Sequence, residues 1–461
     1  NNTSAPSDKP ALTTMSSTTQ ELHNQIDARI RETKQPYLHP DGPTVQIDLF
    51  GGAQMIAWQE QKGARTMLGE ECWSDLPHVY GRYATPPGNQ IINSLKSIEH
   101  AAGILLTDCG MQATAIVQDV LLKPECHAIM SRQVYNKSKA YLQWATERIG
   151  SENTIVEELT AQSLRENIRP NTTLVFAETF TNPLMDALDL KALSDAIVEL
   201  RQTAPGLRFV VDNTIATPWG VQKPLLNYPG IDVVVSAGTK AMGGQDRDMW
   251  GYIASNRIDF LNRAMDIQAM RGGVLSWRSA ASIVETMASA ESRFTTRCHN
   301  AATIVEFLEG HPLIEEVFHP KAANYRHATL LEEQYKLGGS LLSFRINELS
   351  EDKTGHFCDV LAMTRPFRYA LSFDGLVSKV NHHKSVSEFY TPPPLLKKQG
   401  INRLVRLGIG CEDANDLVAC LNWALWNHDK ISSDEILEYQ RSRIENLGLD
   451  LPEYLKDDSD N

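Results

Sequence analysis

No run in this 461-residue chain is long and apolar enough to span a bilayer, so a membrane-crossing role is not expected. No Cys-x-x-Cys pair occurs either: the seven cysteines, at positions 72, 109, 126, 298, 358, 411 and 420, are odd in number and scattered. That pattern argues against a structural zinc site and a disulfide framework, and for a reducing compartment. Basic residues are in deficit, 44 Lys and Arg against 57 Asp and Glu, for a net charge of −13. Such a balance disfavours duplex nucleic acid and anionic membrane surfaces as partners, while leaving room for a local pocket that holds one phosphate. No apolar leader-like segment stands at the N-terminus, which makes the cytoplasm the expected location. No internal repeat recurs.

What is present suits a large packed core: 42% of residues are hydrophobic and 22% charged. The length suits two domains with extensions. Residues 1–20 are rich in Ser, Thr, Asn and Pro and are expected to form an unordered or extended arm. Leu22, Ile26 and Ile30 then stand four apart, as on one face of a helix. The Pro-rich stretch that follows reads as loop, and a polar helix is expected over 59–71. The Pro86-Pro87-Gly88 turn breaks the chain before a helical stripe of Ile91, Leu95 and Ile98.

Beyond it, strands and helices alternate. The apolar run from Ile104 breaks at Asp108-Cys109-Gly110 and passes into a helix near Met111. Strands are expected at 127–130, 173–177, 209–211 and 231–235, with helices between them. This alternation predicts βαβ units and an α/β fold built on a doubly wound, mostly parallel sheet. Residues 276–308 read as one long helical spine. Strands near 340–346, 369–372 and 404–409 and a helix near 414–428 then indicate a smaller C-terminal α/β domain, and the chain from 429 onward reads as a solvated charged tail. The expected division is an arm over 1–75, a large domain over 76–290 and a small domain over 291–461.

Candidate chemistry concentrates where strands end. Phe209-Val210-Val211 delivers Asp212, and the apolar run 231–235 is followed by Thr239-Lys240 and the small residues Gly243-Gly244. A carboxylate and a lysine at one sheet edge are what pyridoxal 5'-phosphate needs: a Schiff-base lysine and an acid to keep the pyridine nitrogen protonated. Taken alone, Asp212 could equally be a turn residue and Lys240 a solvated loop residue. Tyr80 and Arg82 could clamp a phosphate or merely be exposed. Gly110 lies at a strand-to-helix turn, where backbone amides can hold an anion. Tyr135, Glu178 and Asn182 fall at the same edge.

Together these blocks resemble the Cys/Met-metabolism enzymes of the fold type I pyridoxal phosphate class, such as cystathionine γ-synthase, cystathionine γ-lyase, methionine γ-lyase and the homoserine sulfhydrylases. The resemblance runs from about Tyr80 to Leu421 in the family's order. It implies that Tyr80 and Arg82 reach a neighbouring subunit's cofactor phosphate, that Gly110 and Met111 bind the same phosphate, and that Tyr135 stacks on the ring and acts as acid or base. It also implies that Glu178 and Asn182 belong to the block holding the ring hydroxyl, that Asp212 faces the ring nitrogen, and that Lys240, beside Thr239, forms the Schiff base. Ser378 and Arg406 resemble the residues at the substrate carboxylate. A homodimer or homotetramer with shared active sites is implied, and a small amino acid as substrate.

Departures gather at the mouth of this site. Ala237 stands where the family has serine, Thr85 where it has asparagine, Asn136-Lys137 where it has glycines, and Val377 where it has glutamate. The run from Gly243 to Asp248 carries one inserted residue. An added cation at Lys137 or Arg247 could meet an acidic co-substrate or simply be solvated. The expected activity is γ-replacement or γ-elimination on activated homoserine, cystathionine or a related γ-substituted amino acid, through a vinylglycine-type intermediate, in trans-sulfuration or a similar branch of amino-acid metabolism. A β-lyase, aminotransferase or decarboxylase on the same fold, or a relative that binds cofactor without turnover, are the alternatives.

Overall fold

The computed structural model describes residues 17–34, 45, 80–388 and 391–455. The helix expected over 59–71 and the acidic end at 457–460 lie outside them. Helix Ser17–Thr33 begins inside the stretch expected to be unordered.

Seven strands form the larger sheet: β1 Gly103–Thr107, β2 His127–Ser131, β3 Glu152–Val156, β4 Thr172–Glu178, β5 Arg208–Asp212, β6 Ile231–Ser236 and β7 Gly251–Ser255. Their spatial order is β1-β7-β6-β5-β4-β2-β3. Strands β2 to β6 run parallel, and β7 pairs antiparallel with both β1 and β6. The central strands read as unbroken apolar runs because both faces are covered. Phe176, Val210 and Val233 pack with helices Gly110–Leu121 and Ile258–Arg271 on one face. Their neighbours Val175, Val211 and Val234 pack with helices Leu190–Leu200 and Trp277–Met287 on the other. Each such side chain contributes about 1.5–3 kcal/mol by burial. The doubly wound, mostly parallel sheet is the architecture expected from the alternation.

Several helix starts are written in local chemistry. Thr85 caps Pro86–Glu99 by accepting from the Gly88 amide at 3.2 Å, and proline fills the first helical position, where no amide donor is required. Asp189 caps Leu190–Leu200 in the same way.

The second sheet, order β10-β11-β12-β9-β8, contains β8 Ile314–Phe318, β9 Leu341–Ile346, β10 Arg368–Tyr369, β11 Lys379–His382 and β12 Val405–Gly408. Its core gathers Phe344, Phe357, Val380, Leu407 and Leu421. The expected spine is two helices, Trp277–Met287 and Ala290–Glu309, parted at Ala288-Ser289. The segment read as a charged tail contains helix Ser433–Asn446, fixed by a reciprocal cap between Ser432 and Glu435. Among the described residues no helix is long and apolar enough to cross a membrane, and no cluster of His, Cys, Asp and Glu could hold a metal ion.

Candidate active site

The carboxyl ends of β4, β5 and β6 meet at one edge, where ligands of open α/β sheets sit. Asp212 ends β5 opposite Glu178, which ends β4. One Asp212 oxygen accepts from the Thr214 amide at 2.9 Å and the Thr214 hydroxyl at 2.6 Å. That hydroxyl in turn accepts from the Ala237 amide at 2.9 Å, tying β5 to the turn before Lys240. Although part of residue 212 meets solvent, its carboxyl is desolvated, which raises its pKa to about 6 against the pull of Thr214. Glu178 is buried and raised as well, first by burial and then by the Asp212 charge, and it accepts from the Tyr135 amide at 2.6 Å. Among the described residues no Lys or Arg forms an ion pair with Asp212. A protonated pyridine nitrogen would supply a positive charge there, so the pair fits pyridoxal 5'-phosphate.

The phosphate end fits as well. Helix Gly110–Leu121 starts at Cys109, whose side chain makes no cap hydrogen bond, and its first amides point where an anion could be held. A Cβ at Gly110 would lie 2.5 Å from the Ala237 Cβ, so glycine is what lets this helix end approach the Lys240 turn.

Lys240 follows β6 on a tight turn in which its amide donates to the Ala237 carbonyl at 3.0 Å and its carbonyl accepts from Gly244 at 2.7 Å. Gly238 lies flat against the Trp250 indole; a Cβ there would come within 2.3 Å of it. The Thr239 hydroxyl bonds the Trp250 backbone at 2.9 and 3.1 Å, so its visible contacts brace the turn. The Lys240 amine hydrogen-bonds the Ser372 hydroxyl and lies 4.9 Å from the Phe373 ring centroid. Burial lowers its pKa, Asp374 opposes, and Arg406 and Lys379 add to the lowering.

Arg406, on β12, is 3% exposed. Its guanidinium donates to Asn182 Oδ1 at 3.3 Å and to the Leu371 carbonyl at 2.9 Å, and faces Phe373 at 5.7 Å. Burial brings its pKa down to about 10, which leaves it charged at neutral pH. Tyr135, 47% exposed, precedes helix Asn136–Ile149, and Asn136 reaches across to the Ser387 carbonyl at 2.7 Å.

Three of the expected site residues do not meet Lys240 within one copy. Ser378 is fully buried, and its hydroxyl is occupied by Glu412 and the Gly410 amide, both at 2.9 Å. It does not meet Lys240; Ser372, which the sequence reading passed over, does. Tyr80 and Arg82 also stand apart, the guanidinium stacked 5.0 Å from the Tyr80 ring and 5.6 Å from Tyr83, with no bond to Asp212 or Lys240. Thr214 and Phe373 are further site residues without a strong sequence signal.

Comparison with known proteins follows from this geometry. A model of the Cys/Met metabolism PLP-dependent enzyme family matches residues 62–426. L-Methionine γ-lyase of Fusobacterium nucleatum subsp. polymorphum is 28% identical over 389 residues, covering 83% of this chain and 93% of that protein. Cystathionine γ-lyase of Bacillus subtilis is 27% identical over 351 residues, covering 76% and 89%. The crystal structure of cystathionine γ-synthase from Xanthomonas oryzae pv. oryzae in complex with cystathionine superposes with a TM-score of 0.70 at 26% identity, covering 76% of this chain and 88% of that one.

Proposed function

The chain belongs to the Cys/Met metabolism PLP-dependent enzyme family, and from that premise we propose that it catalyses γ-elimination or γ-replacement on a γ-substituted amino acid such as cystathionine or an activated homoserine. The observation that carries the reading is the placement of Lys240: a half-buried amine of lowered basicity, bonded to Ser372, with the buried cation Arg406 facing the same Phe373 ring.

When bound, the cofactor supplies an aldehyde that captures amines and a ring that accepts the electron pair left at Cα. Lys240 would hold it covalently, Asp212 would hold its ring nitrogen, and the amides at Gly110 and Met111 would hold its phosphate. Glu178 and Asn182 would line the ring edge, and Thr239 would brace the turn beneath. The substrate carboxylate docks on the Arg406 fork. The substrate amine would displace Lys240 from the cofactor, and the freed Lys240, its basicity lowered by burial, would take the proton from Cα, pass it to the cofactor, and then take one from Cβ. Tyr135 handles the proton at the departing γ-substituent.

Tyr80 and Arg82, which make no bond to Asp212 or Lys240 within one copy, serve a second copy in a homodimer or homotetramer. The division near residue 290 then separates the cofactor-holding sheet from the smaller sheet that brings Ser372 and Arg406. Incubation with cystathionine tests the chemistry: cysteine and 2-oxobutanoate support it, whereas homocysteine and pyruvate indicate a β-lyase, and pyridoxamine phosphate with a keto acid indicates an aminotransferase.

A further inference from the structure

The loop after Lys240 ends in a compact group of charges that the proposed chemistry does not use. Lys379, on β11 and 7% exposed, donates to both Asp246 carboxylate oxygens at 2.6 and 2.8 Å and to the Asp374 carbonyl. The Asp374 carboxylate accepts from Ser340 at 2.6 Å and lies 3.9 Å from Nε of Arg297. Arg297, from helix Ala290–Glu309, is fully buried, its Nε has no hydrogen-bond partner, and its other nitrogens bond the Gly375 carbonyl at 3.1 Å and the Ala241 carbonyl at 3.5 Å.

These contacts join two segments. Ala241 adjoins Lys240, and Asp374-Gly375 follow Ser372-Phe373 directly. The backbone has been shaped to admit them: Asp246 adopts φ 55°, and Gly375 sits at φ 124°, where a Cβ would lie 2.3 Å from Asp246 and 2.8 Å from Lys379. Burying Arg297, Asp374 and Lys379 is unfavourable unless each charge is matched, and with half-exposed Asp246 two cations here face two anions.

We propose that Arg297, Asp374, Lys379 and Asp246 form a clamp that closes the Lys240 loop onto the segment bearing Ser372 and sets the electrostatic field at the Lys240 amine, making Asp246 and Lys379 positioning residues of the site. The inference rests on Lys240 being the residue that holds the cofactor. The other charged group acting on that amine is Arg406 from β12, which lowers its affinity for a proton as Lys379 does. Lys379 and Asp246 act on Lys240 with opposite sign, the cation lowering and the anion raising its affinity for a proton.

The test is a pH titration of the visible band of the full chain loaded with pyridoxal 5'-phosphate, for the parent, Asp246→Asn, Lys379→Met and the double variant. Removing the anion leaves the Lys379 charge unmatched, so the Asp246→Asn midpoint falls by roughly half a pH unit or more. Removing the cation does the reverse, and the Lys379→Met midpoint rises by about as much. The double variant returns close to the parent. Asp246 is 52% exposed, so Asp246→Asn decides the matter even where Lys379→Met fails to fold. Midpoints that stay put, or move in the same direction in both single variants, overturn the clamp. A band that survives Lys240→Ala unchanged overturns the assignment of Lys240, and the clamp with it.

Discussion

Ser372 hydrogen-bonds the amine of Lys240 across 132 residues of sequence, and so fixes the position of the group that the proposed chemistry needs to move. The hydroxyl reaches Lys240 from the segment between β10 and β11, so the bond exists only when the smaller sheet is seated against the edge of the larger one.

Ser372→Ala removes that bond and little else. Kept through the proton transfers, that bond is worth about 1.5–3 kcal/mol to the transition state, so kcat should fall about tenfold or more, a loss larger than any shift in melting temperature explains. Steady-state kinetics beside a thermal melt would check it; an unchanged kcat would remove Ser372 from the site.

Arg406→Lys keeps the charge and loses the fork. The substrate carboxylate then has one point of attachment in place of two, and KM should rise about 100-fold, well beyond any change in kcat. An equal loss from both terms would place Arg406 in the reacting machinery and not in substrate binding.

The parts of this site legible in sequence are those whose signal is local. Asp212 and Lys240 each follow an apolar run short enough to be a buried strand, and Glu178 and Tyr135 follow similar runs. Ser372 and Phe373 follow only the two-residue strand β10, whose pairing with β11 depends on tertiary context. Ser378 stands out only through the family resemblance, and its hydroxyl is bonded to Glu412 and the Gly410 amide. In the fold, β3 went unseen because Glu152-Asn153-Thr154 make a polar edge strand, and β7 because its antiparallel return breaks the strand–helix alternation. Helix Ser433–Asn446 is so polar that charge masked its cap, and Ile436 is its buried anchor.

Glu99 offers a pH test of stability apart from the active site. It is fully buried, bonded to the Tyr252 hydroxyl at 2.6 Å through one oxygen and unpartnered at the other. Burial raises its carboxyl from the usual 4.5 to about 7, against the pull of Tyr252. A carboxyl raised on folding stabilises the fold most below its unfolded pKa, and that contribution is lost as pH climbs through the folded value. Glu99→Gln should therefore gain on the parent between pH 5 and pH 8, by on the order of 2–3 kcal/mol. Denaturant midpoints at the two pH values would show it; a gap independent of pH would mean Glu99 is ionised in the fold.

The proposed sharing of sites between subunits predicts complementation between inactive variants. On that proposal Arg82→Ala would damage the neighbour's site and Lys240→Ala its own, so a mixed dimer would carry one site with both lesions and one with neither. Co-refolding equal amounts should restore about a quarter of parent activity. A mixture no more active than its components would confine Arg82 to its own subunit.

The central claim, that Lys240 is the residue joined to the cofactor, is tested most directly by borohydride reduction of the chain loaded with pyridoxal 5'-phosphate, followed by peptide mass spectrometry. The account predicts a pyridoxyl group on Lys240, absent from Lys240→Ala. Label on a different lysine, or none in a chain that carries the visible band, would contradict it.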